Sequence, residues 1–280
     1  MREIIITPDQ VSQWLQTRKP NSHKGDYGRA LLVAGSKGMM GAALLATRAC
    51  MRSGVGLLTA RVPSCGYEIM QLGIPEAKCD CDANESHHTE IIVPKDIEVI
   101  GIGPGLGQHS ETQEAFHQFL LQCKPLPLVL DADALNILAL HPEWLELLPA
   151  ETILTPHPGE MKRLGVDPYE LAERHQLIFV LKGHHTRIVS HNSFMDGAFV
   201  NSLHGNAGMA VGGSGDVLTG IILALLAQHN PPTVAASLGV WLHAYAADLA
   251  LADHNSMESL LPSDIITHLG AAFNISRNSL

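Results

Sequence analysis

The chain has 280 residues, enough for one large domain or two small ones and too many for a small scaffold that depends on staples. With 46% hydrophobic residues, 16% charged residues and a mean hydropathy of +0.11, it is a globular sequence, neither disordered nor fibrous. Eighteen basic against 28 acidic side chains leave a formal charge of -10, which excludes a general attraction to nucleic acid or anionic lipid, so any phosphate must be held locally.

The opening MREIIITPDQ lacks the basic, apolar and small-residue succession of a secretory signal, which makes a cytoplasmic protein the expectation. No repeat, low-complexity linker or composition break divides the chain, so a single domain over residues 1–280 is expected. Short apolar runs that suit buried strands follow at Ala30 to Ala34, Gly56 to Val62, Ile97 to Ile102, Leu126 to Leu130, Thr152 to Leu154 and Leu177 to Leu181. Between the first two, Gly41 to Arg52 reads as a helix whose alanines offer a small-residue surface for close packing on a sheet. Five cysteines, at 50, 65, 79, 81 and 123, make an odd count that points to reduced thiols. The tract CDCDANESHH, Cys79 to His88, lacks a standard zinc spacing and is expected to be a polar surface loop, with no metal site assigned.

Thr186 to Ser190 and Gly197 to Asn201 flank the polar stretch HNSFMDG, which favours a hairpin and an antiparallel edge. Val217 to Gln228 is apolar on nearly every face and reads as a buried helix, and Thr233 to Asp253 as another. Its strongest apolar run, Val217 to Ala227, is broken by Thr219 and Gly220 and too short to cross a bilayer, so no membrane segment is expected. The fold class is therefore α/β, a sandwich with helices on both faces of a mainly parallel sheet, whose ligands bind at the carboxyl ends of the strands.

The strongest chemical signal is GNAGMAVGGSGD, Gly205 to Asp216, directly before the buried helix. Gly212, Gly213 and Gly215 let backbone amides converge where the helix N-terminus adds partial positive charge, a natural seat for a phosphate or a developing oxyanion. Asp216 at that mouth either caps the helix or accepts the proton of a substrate hydroxyl as phosphate is transferred to it. The loop is not a Walker A motif, because no Gly-Lys-Ser/Thr follows.

GIGPGLG, ending at Gly107, allows a ligand to lie against the main chain, and a structural turn explains it equally. In ILTPHPGEM two prolines fix His157, which either bonds a substrate or merely bonds backbone, while Glu160 reads as a first-turn residue favoured by the macrodipole without a catalytic role. In VLKGHHT, Lys182 and Thr186 suit phosphate, although a solvated hairpin accounts for the same letters. In VLDADAL, Asp131 and Asp133 either position Mg²⁺ through water or cap the next helix, with the cap preferred.

In their order along the chain, KGDYGRALLVAGSKGMMGAALLA, GIGPGLG, VLDADAL, ILTPHPGE, VLKGHHT and GNAGMAVGGSGDVLTG, spanning roughly Lys24 to Tyr245, resemble the ADP/ATP-dependent NAD(P)H-hydrate dehydratase family. The resemblance implies a ribokinase-like three-layer sandwich and repair of hydrated NADH or NADPH (NADHX, NADPHX). The repair uses ADP or ATP with Mg²⁺ to phosphorylate the ring hydroxyl before phosphate is eliminated. Carried over by position, it implies that Ala42, Gly105 and His157 approach the hydrated dinucleotide. Lys182, Gly183, His184, His185, Thr186 and Gly215 would hold the nucleotide, the amides of Gly213 and Gly215 the transferring phosphoryl, and Asp216 would act as base and touch the substrate.

Asp216 need not have a raised pKa if it takes the proton late, as the oxygen bonds to phosphorus, and its helix-end place is expected to favour the ionised form. The family also implies a homo-oligomer, a homotetramer, and a separate epimerase for the opposite epimer, since no companion epimerase domain is read in this chain. Ser214 stands where the family more often has Thr, which keeps a hydroxyl. The competing readings are a small-molecule kinase of the same superfamily, of thiazole or pyridoxal type, and a non-catalytic nucleotide sensor.

Overall fold

The computed structural model describes residues 2–123, 126–191, 193–253 and 256–278. The strands are β1 (Glu3–Ile5), β2 (Arg29–Val33), β3 (Leu57–Val62), β4 (Lys78–Cys81), β5 (Val99–Ile102), β6 (Leu128–Leu130), β7 (Ile153–Leu154), β8 (Ile178–Leu181), β9 (Thr186–Val189) and β10 (Ala198–Asn201). They form one sheet in the order β1-β10-β9-β8-β7-β6-β5-β2-β3-β4. Every neighbouring pair is parallel except the two that involve β9, which runs against both β8 and β10.

The helices are α1 (Pro8–Trp14), α2 (Met40–Arg52), α3 (Tyr67–Gly73), α4 (Ser110–Gln122), α5 (Ala132–Leu140), α6 (Pro158–Leu164), α7 (Pro168–His175), α8 (Ser193–Asp196), α9 (Ser214–Ala227), α10 (Pro232–Ala252) and α11 (Pro262–Arg277). Side-chain alternation along the strands sorts the core into two layers. Ala30 and Leu32 of β2 join α2, α9, α10 and α11 on one face, whereas Leu31 and Val33 join α4, α5 and α7 on the other. Strands covered on both faces read as continuous apolar runs, which is why β2, β5 and β8 were visible as such.

The small-residue face of α2 packs on a helix as well as on the sheet. A Cβ placed on Gly220 of α9 would lie 2.1 Å from the Ala46 carbonyl, so glycine permits the two backbones to approach. Among the described residues α10 is the one helix long and apolar enough to cross a membrane, and 72% of its most apolar window is buried in the protein.

One expectation needs correction. The Cys79 to His88 tract is not a surface loop: Cys79 to Cys81 belong to the edge strand β4, and Asp82 and His88 are buried. Arg61, only 1% exposed, explains this by pairing with Asp80 at 2.6 Å, Asp82 at 3.6 Å and Glu90 at 3.2 Å, so a buried guanidinium draws the buried Asp82 and two more exposed carboxylates to it. The hairpin expected at HNSFMDG is present, β9 and β10 pairing antiparallel with the short helix α8 in the connection; its Asn192 lies outside the described residues. The tight hairpin is the neighbouring one, where 182–185 join β8 to β9.

Candidate functional site

Because β5, β6, β7 and β8 run parallel, the segments that follow them meet at one end of the sheet, where the first turn of α9 also arrives. Asp131, just after β6, is 1% exposed and sits at their junction. Its Oδ1 accepts from Lys182 Nζ at 2.8 Å and its Oδ2 from Thr219 Oγ1 of α9 at 2.7 Å. The preferred cap role is thus overturned for Asp131, whose side chain makes no capping bond to α5 because both oxygens are engaged across the sheet. Asp133 instead ties loops together, accepting from the Gly107 amide at 2.9 Å, Gln108 at 3.2 Å and Asn136 at 3.1 Å.

The solvated-hairpin reading fails for Lys182, whose side chain is 18% exposed, and holds for its neighbours. Gly183, His184 and His185 are exposed at the hairpin tip, and Thr186 donates to the Gly183 carbonyl at 3.3 Å. Burial works to lower the Lys182 pKa, but Asp131 and Glu160 outweigh it and hold the ammonium above its ordinary value.

Gly213, at φ 96, is the N-cap of α9, and Asp216 is the third residue of the helix. The capping alternative for Asp216 is therefore excluded, and among the described residues no hydrogen bond is directed to its carboxylate. The Ser214 amide donates to the Val211 carbonyl at 3.3 Å, while those of Gly215 and Asp216 lack intrahelical acceptors, as at any helix start. A Cβ on Gly215 would fall 3.2 Å from Lys182 Nζ and 3.6 Å from Asp131 Oδ2, so this glycine keeps clear the space between the helix mouth and the ammonium.

The electrostatics correct a further expectation. Burial, then Asp131, push the Asp216 pKa up to about 7; Lys182 opposes this, while Asp133 and Glu160 add to it. The favourable helix end is outweighed by desolvation and by carboxylates that sequence distance concealed. Glu160 is one of them. It is a first-turn residue as expected, yet only 5% exposed and 3.8 Å from Lys182, and burial raises its pKa.

His157 caps α6, its Nδ1 accepting from the amides of Gly159 at 2.9 Å and Glu160 at 3.3 Å, while Glu160 accepts from the His157 amide at 2.8 Å. The acceptor role of Nδ1 places the ring proton on Nε2, half exposed beside Glu160 Oε1 at 3.4 Å. Ala42 and Gly105 lie side by side: at φ 61, a Cβ on Gly105 would be 3.0 Å from the Ala42 Cβ and 2.7 Å from the Met39 carbonyl. Ser36 Oγ fixes that loop by donating to the Gly105 carbonyl at 2.8 Å. A cleft of about 500 Å³, lined by Gln108, Asn136, Ala139, Leu140 and Arg163, opens beside Asp133.

Sequence reasoning missed the parts played by Thr219 and Asp248. Asp248 of α10 holds the start of the glycine loop through the Gly205 amide at 3.0 Å, Asn206 at 3.0 Å and His204 at 3.2 Å. The available signal was a hydroxyl and a carboxylate in otherwise apolar helices, where a polar group needs a partner.

Comparison with known proteins bears on the same segments. The profile of a family described as NAD(P)H-hydrate dehydratase matches residues 30–269. A bifunctional NAD(P)H-hydrate repair enzyme of Vibrio cholerae is 40% identical over 273 residues, 93% of this chain and 52% of that protein. An ADP-dependent (S)-NAD(P)H-hydrate dehydratase of Bacillus subtilis is 36% identical over 283 residues, 95% of this chain and 98% of that one. The crystal structure of an ADP/ATP-dependent NAD(P)H-hydrate dehydratase from Bacillus subtilis, co-crystallized with ATP/Mg²⁺, superposes with a TM-score of 0.80 at 32% identity, covering 96% of this chain and 97% of that one. The chain spans about half the length of the bifunctional curated relatives it matches.

Proposed function

The chain belongs to the NAD(P)H-hydrate dehydratase family, and from that premise we propose that it restores NADH and NADPH from the S-forms of their hydrates at the expense of ADP or ATP. The observation that carries this reading is the half-buried, unpartnered carboxylate of Asp216 in the first turn of α9, between the glycine loop and Lys182.

Hydroxide is a poor leaving group and phosphate a good one, so phosphorylating the ring hydroxyl makes elimination feasible. Asp216 takes the hydroxyl proton as its oxygen bonds to phosphorus, and a pKa near 7 makes it a competent base at neutral pH. Amides of Gly213 and Gly215 meet charge on the peripheral oxygens of the loose transition state, aided by the buried ammonium of Lys182. The ring nitrogen's electron pair then expels phosphate, and loss of a ring C–H proton restores the dihydropyridine. Lys182 to Thr186 with Gly215 line the nucleotide side; Ala42, Gly105 and His157 line the dinucleotide side.

The charge count at the site suits a hard cation. Asp131, Asp133 and Glu160 all act through space on Asp216 against the single ammonium of Lys182. Mg²⁺ would be held here through water. Asp131 and Glu160 would hold that water shell, and the ion would supply neutralisation of phosphate charge.

The same reading carries a cytoplasmic location, a homotetramer and a separate epimerase for the opposite epimer. The test is incubation of the purified protein with hydrated NADH, Mg²⁺ and either ADP or ATP. Return of dihydronicotinamide absorbance with release of AMP or ADP and free phosphate supports the proposal, and a stable phosphorylated alcohol would instead reveal a small-molecule kinase. Nucleotide binding without any product would leave a sensor.

A further inference from the structure

The loop between β4 and β5 is held more rigidly than its polar sequence suggests. Asp82, 1% exposed, accepts from the Asn84 amide at 2.9 Å, from the Thr89 amide and hydroxyl at 2.8 Å each, and from the Glu90 amide at 3.1 Å. Thr112 of α4 donates to the His88 carbonyl at 2.9 Å, and the His88 ring, pinned at the Ala34 carbonyl, is fully buried. The loop and the start of α4 therefore form one frame, and this frame presents His87, His109 and Glu111 together.

His87 Nε2 lies 2.6 Å from Glu111 Oε2, and His109 Nδ1 lies 3.8 Å from the same oxygen. One ligand atom from each of the three residues lies within 4.8 Å of the other two. The second nitrogen of His87 is already placed: Nδ1 is 3.0 Å from Ser86 Oγ, which donates to Asn84 Oδ1 at 3.2 Å. Nδ1 is thus anchored at the Ser86 hydroxyl, while Nε2 faces a carboxylate oxygen. An imidazole whose far nitrogen is fixed by a hydrogen bond is the arrangement metal-ligating histidines use.

We propose that His87, His109 and Glu111 form a divalent transition-metal site with two imidazoles, one carboxylate and a fourth position open to water, a donor set that suits Zn²⁺. His87, with a side chain 13% exposed, is the fixed ligand; Glu111 and His109 are 59% and 52% exposed and would close to the metal–ligand distance of about 2 Å, His109 giving up the cap in which its Nδ1 accepts from the Glu111 amide at 3.3 Å. The His109 ring, stacked on His87 with centroids 3.8 Å apart, turns on its side-chain torsions to do so. The Lys37 amide donates to the Ser86 carbonyl at 2.8 Å, so a bound ion braces the turn that carries Met39 toward Gly105. The site is independent of the dehydratase reading.

The test is titration of chelator-stripped protein near neutral pH with Zn²⁺ by calorimetry, with Co²⁺ absorption as a report of coordination and thermal unfolding as a report of stabilisation. One equivalent is expected to bind and to raise the unfolding midpoint. Glu111→Gln and His87→Ala remove that equivalent. Ser86→Ala, which keeps all three ligands, weakens binding by about 10- to 100-fold. A Cys79→Ser/Cys81→Ser variant binds as the unaltered protein does. Absence of stoichiometric binding overturns the proposal, as does binding that survives Glu111→Gln or disappears with the two cysteines.

Discussion

Lys182 Nζ and Asp131 Oδ1 lie 2.8 Å apart with side chains 18% and 1% exposed, an ion pair at the carboxyl end of the sheet. Removing one partner of a buried pair leaves an uncompensated charge, at a cost of about 3–5 kcal/mol. Asp131→Ala is therefore expected to lose stability on that order in urea denaturation, since it also orphans the Thr219 hydroxyl. The double variant Asp131→Asn/Lys182→Met is expected to recover much of it while binding ADP more weakly than the unaltered protein. A double variant as unstable as Asp131→Ala would show that the pair is not the source of the loss.

Asp216 is expected to govern the pH dependence. Its carboxylate is raised from 3.8 to about 7 in the fold, so kcat/KM for hydrated NADH falls as pH drops below about 7. Asp216→Asn abolishes that dependence, lowers kcat by about 10²- to 10⁴-fold and leaves nucleotide affinity nearly unchanged. The sign for stability runs the other way from that of a paired carboxylate. The raised pKa favours the protonated fold, so the stability it contributes is full below pH 3.8 and is lost as pH rises through about 7. Asp216→Asn should hence be the more stable protein near pH 8 by about 1–3 kcal/mol, with little difference at low pH. Equal unfolding midpoints at both pH values would remove the assigned cause.

Two glycines of α9 separate space kept for a ligand from space kept for packing. At Gly220 an added Cβ meets the Ala46 carbonyl at 2.1 Å, and Gly220→Ala should cost about 1–3 kcal/mol by forcing α2 and α9 apart. At Gly215 it meets the end of the Lys182 side chain at 3.2 Å and Asp131 Oδ2 at 3.6 Å, with no backbone in the way, and alanine is the better helix former by about 1 kcal/mol. Gly215→Ala is thus expected to unfold no more easily than the unaltered protein yet bind ADP at least about tenfold more weakly, a loss of about 1.4 kcal/mol. Calorimetric nucleotide titration beside thermal melts reads both.

The parallel strands β2 to β8, apart from β4, and the helices α2, α9 and α10 were legible because burial on both faces writes continuous apolar runs. β1 and β4 were not, since EII is only three residues long and KCDC carries no aliphatic residue. The glycine loop was legible as a turn leading into a buried helix, and Gly105 and Ala42, named together by the resemblance, lie side by side. What no local pattern discloses is which charges meet. Arg61 burying the tract around Asp80 and Asp82, and Asp131, Asp133 and Glu160 raising Asp216, are products of strand order.

His157 performs two tasks that one substitution can divide. Its Nδ1 caps α6 through the amides of Gly159 and Glu160, and its Nε2–H stands half exposed, where we propose that it meets the dinucleotide. Asparagine is a strong N-cap that lacks the second nitrogen, whereas alanine supplies neither function. His157→Ala should therefore lose about 0.5–2 kcal/mol of stability and raise KM for hydrated NADH, while His157→Asn should keep most of the stability and show the same rise in KM. If His157→Asn restores KM along with stability, the histidine serves only as a cap, and the substrate contact assigned to Nε2 must come from another residue at the cleft.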